Sequence, residues 1–376
     1  MRVTGITTRI LAYDLSDAWG ENPPEGIAET TYRIPLVTLH TDEGLDGNAM
    51  QYGGLGEGRA MGHVLHEAYA VDVIGRDPRD VERIWHDLRR KERHMYNTSD
   101  ATIGAIDIAL WDLRGKMLGQ PIAVLLGLAR HRVPCYATAR TIDPAPEDVY
   151  EEAKLRRAEG YRGFKVQFWD GLARDIPRFE AAREGAGPDF PLMQDAAGGY
   201  SFVDAIAAGR ALERLGFSWF EEPMPDRQLD QLRRLADTLD IPILATETLL
   251  LHELPEHLRH GAADIVRGDV IIKAGITGLR KACAAAELFG YDLEIHGLGG
   301  VLLDVANLHV ALSVENSRFV EAHHPVYEQG AIGRPLAIDG DGCRQLPDGP
   351  GLGVELDWDW LDDHTVELIR SGDTPR

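Results

Sequence analysis

Cysteine is scarce in this chain: three in 376 residues, at Cys135, Cys283 and Cys343. They lie far apart without Cys-x-x-Cys spacing, which excludes a zinc knuckle and gives no sign of a disulfide framework. Positive charge is also short, with 39 Lys and Arg against 61 Asp and Glu and a formal charge of −22. Such an acidic balance argues against nucleic acid or an anionic membrane as the main partner. It leaves room for an anionic small substrate, because a local cation or metal can invert the field inside a site. No apolar run approaches the ~20 residues that span a bilayer. Met1 to Leu11 alternates polar and apolar residues and lacks a signal-peptide core. A cytoplasmic, reduced protein is the plain expectation. The 44% hydrophobic and 27% charged content is that of a globular chain, long enough for one large domain or two ordinary ones.

What is present changes texture along the chain. Residues 1–12 and 33–42 read as strands joined by a polar loop, and Asp42-Glu-Gly-Leu-Asp-Gly47 is a turn signal. From about 58 to 128 the pattern is helical. It is strongest over Ala101 to Leu118, where Ile103, Ile106, Ala109, Leu110 and Leu113 are spaced for one buried face before Gly119 and Pro121 stop the helix. After Val133, short apolar runs alternate with amphipathic stretches: Val133–Ala139, Gly163–Gln167, Pro191–Asp195, Trp219–Glu221, Ile243–Glu247, Ile265–Asp269, Leu293–His296 and Phe319–Glu321. Their polar ends at Lys165, Asp195, Glu221, Glu247, Asp269, His296 and Glu321 are 30, 26, 26, 22, 27 and 25 residues apart. A strand, a loop, a helix and a return need about that length. Eight such runs favour a closed β/α barrel over an open doubly wound sheet, and no Gly-x-Gly-x-x-Gly follows a strand here. The tail from Ala331 is rich in Gly, Pro and Asp and is expected to pack back on the N-terminal unit.

Barrel enzymes gather their chemistry at the carboxyl ends of the strands. Any one acid there has an ordinary explanation, such as Asp195 capping the next helix. Three successive strand ends that each present a carboxylate to one mouth carry a repulsion that a cation would relieve. Oxygen donors without thiolates or clustered histidines suit Mg²⁺ rather than Zn²⁺. Asp269 and His296 follow on successive ends, so the carboxylate can orient the imidazole as a general base. Lys165, with an apolar approach through Phe164 and Val166, reads as a cation for a substrate carboxylate or as a second base. The loops Asp14–Glu29 and Met50–Gly58 are candidates to close over the mouth.

At this point the chain resembles the enolase superfamily, in particular its mandelate racemase subgroup. The resemblance rests on the strand-end series and on Ala105-Ile-Asp-Ile-Ala-Leu-Trp-Asp-Leu-Arg-Gly-Lys116, Phe220-Glu-Glu-Pro223, Ala245-Thr-Glu247 and Lys273-Ala-Gly-Ile-Thr-Gly278. It covers essentially the whole chain. It implies an α/β fold, a modified (β/α)7β TIM barrel (residues 129–330), with an α+β capping domain (1–128) completed by the returning tail (331–376). It also implies Mg²⁺ on Asp195, Glu221 and Glu247, an Asp269–His296 dyad, and Glu321 donating a hydrogen bond to an enolate oxygen. The use of a Lys or His base with magnesium comes from the resemblance and not from the spacing.

Two departures matter. Where many members carry Lys-x-Lys, this chain has Lys165-Val166-Gln167, and an amide cannot accept a proton at neutral pH. Asp195-Ala-Ala-Gly-Gly also replaces the usual Asp-Ala-Asn. Racemisation needs a base on each face, whereas elimination runs with one. The expected activity is therefore magnesium-dependent dehydration of an acid sugar (an aldonate or aldarate) through an enediolate, with Lys165, Asp269, His296 and Glu321 catalytic and Gln167 and Lys165 binding substrate. The alternatives are a racemase, epimerase or cycloisomerase using Lys165 with His296 or Lys273, and a non-catalytic member that binds or senses. Lys273 is expected to point away from the mouth. A homo-oligomer acting on a small carboxylate, without nucleic-acid or membrane partners, completes the expectation.

Overall fold

The computed structural model describes residues 1–19, 30–52, 58–95, 99–139, 143–297 and 299–375, without the side chains of 19, 92–95 and 99. Most of both candidate closing loops, residues 20–29 and 53–57, lies outside the described residues. The chain opens with β1 (Val3–Asp14), β2 (Thr31–Thr41) and β3 (Gly47–Met50), an antiparallel meander. Two long helices follow, α1 (Val81–Met95) and α2 (Ser99–Leu118).

The sequence suggests one buried face for α2, but Ala105 and Ile108 on its other side are as buried as Ile103, Ile106 and Leu113. A helix apolar all round is one enclosed on all sides. It sits between the β-sheet of the cap and the barrel. Two acids within this apolar helix act as joints. Asp107 accepts from the Thr277 amide (2.9 Å) and hydroxyl (2.7 Å), and Trp111 Nε1 donates to the same hydroxyl at 2.9 Å. Asp112 accepts from the amides of Asn48 (2.8 Å) and Leu352 (2.9 Å) and pairs with Lys116. Burial pushes the Asp107 carboxyl up to about 7, with the two Thr277 contacts pulling the other way.

The barrel consists of β4 (Arg132–Thr138), β5 (Phe164–Gln167), β6 (Leu192–Asp195), β7 (Trp219–Glu221), β8 (Ile243–Ala245), β9 (Ile265–Gly268), β10 (Asp292–Ile295) and β11 (Val320–Ala322). All neighbours are parallel, and β11 pairs with β4 to close the ring. Seven helices fill the connections: α3 (Pro146–Ala158), α4 (Leu172–Ala186), α5 (Phe202–Arg214), α6 (Leu229–Ala236), α7 (Leu254–His260), α8 (Gly275–Phe289) and α9 (Val301–Ala311). Eight strands with seven intervening helices make the closed barrel that the run spacing predicts, in the (β/α)7β form that the resemblance implies. No helix among the described residues is long and apolar enough to cross a membrane.

Register decides what faces the barrel axis. Gln167 lies opposite Asp195, which lies opposite Glu221, and Lys165 shares the parity of Gln167 two residues earlier. Side chains alternate along a strand, so all four enter one interior. Tyr136, Met193, Trp219 and Leu244 pack as an apolar plug with Ile265 and Phe319 against it. The polar layers stand over this plug at the carboxyl ends.

The tail is more regular than its composition suggests. β12 (Cys343–Gln345) runs antiparallel to the start of β4, and β13 (Thr365–Gly372) adds an edge to β1. Its half-buried and exposed residues alternate strictly, but each face mixes polar and apolar side chains, which hides the period.

The α2–barrel joint yields a stability expectation. Thr277→Val leaves Trp111 Nε1 and one Asp107 oxygen without their partner, so unfolding in urea should show a loss of about 1–3 kcal/mol. An unchanged midpoint would mean that the joint carries no stability.

Candidate active site

Eight sequence-selected residues form one connected network. Lys165 is 1% exposed, and its Nζ lies 3.1 Å from Asp195 Oδ2, 3.0 Å from Glu221 Oε1 and 2.9 Å from Glu321 Oε1. Gln167 Nε2 donates to Asp195 Oδ2 at 2.8 Å. Asp269 Oδ2 is 3.1 Å from His296 Nδ1, while Asp269 Oδ1 accepts from the amides of Ile271 and Ile272. His296 Nε2 faces Glu247 Oε1 at 3.7 Å. Asn307 fixes the approach of this dyad by donating to the His296 carbonyl (2.8 Å) and accepting from the Val270 amide (3.0 Å).

Arg267 joins the two halves, and sequence reasoning passed over it. It is fully buried, with Nη2 3.0 Å from Glu221 Oε1 and 2.6 Å from Glu321 Oε2, Nε 3.5 Å from Glu247 Oε2, and Nη1 donating to the Tyr136 hydroxyl at 2.9 Å. The available signal was parity: Arg267 stands two residues before Asp269 in an otherwise apolar strand, so both face inward. His323, two residues past Glu321, is the other omission. Its ring is 6.4 Å from that of His296.

The electrostatics bear on the expectations for Lys165 and Glu321. Burial alone would lower the Lys165 pKa, but Glu221, Glu321 and Asp195 outweigh it and hold the ammonium well above its ordinary value. Lys165 is a permanent cation beneath the acids. It is neither a second base nor an open cation at the mouth. Burial likewise opposes ionisation of Glu321, but Lys165 and Arg267 hold its carboxyl well below the ordinary range. Its two oxygens accept from Thr138 Oγ1, Lys165, Arg267 and the Gly297 amide. With four donors on its two oxygens, Glu321 is arranged in this structure as an acceptor, whereas the resemblance implies a protonated donor. At the dyad, burial lowers the His296 pKa, but Glu247 and Asp269 push it up to about 9. His296 in turn helps hold Asp269 below its ordinary range despite burial.

Lys273 is fully buried, and its Nζ donates to the carbonyls of Thr246 (2.9 Å), Glu247 (2.9 Å) and Leu249. It takes no part in the network at the mouth, as expected.

The chemistry of the donor set fits a hard divalent ion. Burial, with Asp195 and Glu321 nearby, pushes Glu221 up to about 7 in spite of Arg267 and Lys165. Burial, Glu247, Asp226 and Asp195 push Glu222 up to about 11. Protons retained at these strand ends mark a local shortage of positive charge, which a divalent cation on carboxylate oxygens would supply. Asp195 and Glu221 both approach Lys165, and Glu221 and Glu247 both approach Arg267, so two buried cations link the three acids. Among the described residues, only the ligand atoms of His296, Glu321 and His323 all lie within 4.8 Å of one another. That trio is a poor metal site, because every Glu321 lone pair already has a donor.

Three comparisons bear on this arrangement. Residues 10–127 match the family described as mandelate racemase / muconate lactonizing enzyme, N-terminal domain, and residues 148–360 match the one described as enolase C-terminal domain-like. D-galactarolactone cycloisomerase of Agrobacterium fabrum is 32% identical over 96% of this chain and 98% of that protein. Arabinonate dehydratase of Saccharolobus solfataricus is 31% identical over 94% and 96%. A crystal structure of D-glucarate dehydratase from Agrobacterium tumefaciens complexed with magnesium superposes with a TM-score of 0.85 and 32% identity, covering 98% of this chain and all of that one.

The buried charges make a pH-dependent prediction. Removing one partner from a buried ion network leaves uncompensated charge, so Arg267→Met should cost about 3–5 kcal/mol at pH 7. The stability due to the depressed Glu321 carboxyl is fully present above the ordinary carboxylate range and is lost as pH falls through its folded value. The gap between variant and parent should therefore hold from pH 7 down to the ordinary carboxylate range, about pH 4, and narrow below it in urea unfolding. A gap that stays constant with pH would assign the loss to packing.

Proposed function

This chain belongs to the mandelate racemase/muconate lactonizing enzyme family of the enolase superfamily, and from that premise we propose that it is a magnesium-dependent dehydratase of an acid sugar, an aldonate or aldarate. The observation that carries the reading is that, among the described residues, no lysine stands opposite His296 as a second base. His296, oriented by Asp269, is partly exposed there, while Lys165 is a buried cation, Gln167 is an amide and Lys273 faces backbone carbonyls. One base suffices for elimination, whereas interconversion of stereoisomers needs proton transfer on both faces.

Asp195, Glu221 and Glu247 are the residues that would hold the ion. Bound magnesium supplies positive charge for the substrate carboxylate as negative charge gathers on it. The chain's own residues do the rest. His296 Nε2 takes the proton from C2, and Asp269 keeps Nδ1 protonated and stabilises the imidazolium. The electron pair of the broken C2–H bond then forms the C2=C3 double bond as the C3–O bond breaks. His296 returns its proton to the departing oxygen, which leaves as water. The resulting enol tautomerises to a 2-keto-3-deoxy acid, so atoms and charge balance. The exposed amide of Gln167 is placed to bind a substrate oxygen. Lys165 and Arg267 contribute fixed positive charge below the reacting carboxylate, which needs no reorganisation during the reaction.

The similarity to a galactarolactone cycloisomerase supports a second reading, in which the intermediate collapses by isomerisation without loss of water. A semicarbazide assay for keto acid over a panel of aldonic and aldaric acids in deuterium oxide separates the two. The parent chain should release keto acid, and His296→Asn should lose about 10²–10⁴-fold in turnover. Turnover should rise with pH as His296 gives up its proton, and the rise should be missing from the variant's residual activity. Undiminished turnover by His296→Asn would remove the imidazole from the mechanism. Isomeric products without keto acid would favour the cycloisomerase.

A further inference from the structure

Glu247 is the one proposed magnesium ligand that no strand carries. Strand β8 ends at Ala245, so the side chain depends on the loop that follows. That loop begins with strain: Thr246 has φ +88°, a conformation costly for a β-branched residue. Such a conformation persists only where its surroundings over-determine it.

Here the backbone of 246–249 is gripped from two sides. Asp226, itself buried, accepts from the amides of Thr246 (2.5 Å) and Thr248 (2.7 Å) and from the Thr248 hydroxyl (2.8 Å). Lys273 enters from the opposite side and donates to the carbonyls of Thr246, Glu247 and Leu249. The Thr246 hydroxyl completes the hold, donating to the Arg267 carbonyl at 3.0 Å.

The path of Lys273 is built. A Cβ on Gly268 would come within 2.9 Å of Lys273 Cε and 3.1 Å of its Cγ, so the lysine stem runs through space that this glycine leaves open, and one on Gly278 would come within 1.7 Å of the Lys273 carbonyl, so the lysine backbone is closely packed as well. The next residue, Ala274, adopts φ +60°, a second strained turn beside the lysine. Asp226 is anchored in turn, since His257 Nε2 lies 2.8 Å from its carbonyl oxygen. A buried cation and a buried anion, each neutralised by loop backbone, form a brace that no motif in the sequence foretells.

We propose that Lys273 and Asp226 are positioning residues that clamp the 246–249 loop and so hold Glu247 in place for its magnesium ion. The inference rests on the proposed function above. It also explains why a lysine at this place in the chain, which could pass for a second base, takes no part in proton transfer.

Groups that orient a metal ligand from behind are worth about 10- to 100-fold in metal affinity. Calorimetric titration of the full chain with MgCl₂ should show that loss in Lys273→Met. The magnesium concentration for half-maximal keto-acid release should rise by the same factor, and saturating magnesium should restore most of kcat. Thr248→Val removes one exposed grip and keeps the test alive if Lys273→Met does not fold. Its single lost hydrogen bond corresponds to about two- to tenfold weaker magnesium binding. Parent-like magnesium affinity in the folded variants would overturn the clamp. Turnover in Lys273→Met that saturating magnesium cannot restore, with affinity unchanged, would return Lys273 to the chemistry and equally overturn it. A parent chain that binds no magnesium would remove the proposed function and the clamp together, which distinguishes that failure from the other two.

Discussion

Two cations and three carboxylates are sealed inside the barrel: Lys165 and Arg267 against Asp195, Glu221 and Glu321. Removing such charges from water costs several kcal/mol per ion, and the cost is recovered only when partners are close and hydrogen bonds complete. The rest of the barrel meets most of that condition. Thr138, Tyr136 and the Gly297 amide add partners to the network, Arg267 Nε alone of its guanidinium nitrogens lacks a hydrogen bond, and the apolar plug of Met193, Trp219 and Leu244 lies below. A hydrophobic filling of the same volume would often be no less stable. What the charged filling adds is an electrostatic floor with fixed donors and fixed sign, on which the strand-end acids stand.

Above that floor the chain accepts backbone strain. Ala197, Glu222 and Thr246 all have positive φ, and each lies within two residues of one of the three acids Asp195, Glu221 and Glu247. Burial and neighbouring acids push the carboxyls of Glu221 and Glu222 up, to about 7 and about 11. Strain and raised carboxyls at the same strand ends are what the proposed magnesium site would require, since a bound cation would relieve the repulsion among these acids. Cap and tail share in this. Asp107 and Asp112 on α2 tie the cap to α8 and to Leu352, so the cover over the mouth and the barrel below form one hydrogen-bonded body.

Much of this was legible in the sequence because strand ends are punctuated. Lys165, Asp195, Glu221, Asp269, His296 and Glu321 each close or nearly close an apolar run, and a spacing of one βα unit betrays the barrel that brings them together. Arg267 escaped because attention to strand ends overlooks the residue two places deeper. The true state of Glu321 could not be read either, since it depends on Lys165 and Arg267 approaching from strands on other sides of the barrel. Lys273 shows the limit most plainly: one lysine in one motif could be a base or a brace, and only the three carbonyls around its ammonium decide. The β13 strand was hidden for a simpler reason, because as a cap edge it needs no clean apolar face.

The asymmetry of the mouth ties the charge network to the chemistry. A lysine in place of Gln167 would stand beside Asp195, two residues from Lys165, and would add a third cation to the side of the barrel that already holds one. It would also create a second proton acceptor facing the substrate. The amide avoids both effects, donating to Asp195 at 2.8 Å and adding no charge. Lys165 and Arg267 are held in their charged forms by the acids around them, and Glu321 by the cations. In the proposed reaction the moving proton therefore belongs to the His296–Asp269 pair, on one side of the site, and that confinement is what would separate loss of water from inversion of a stereocentre.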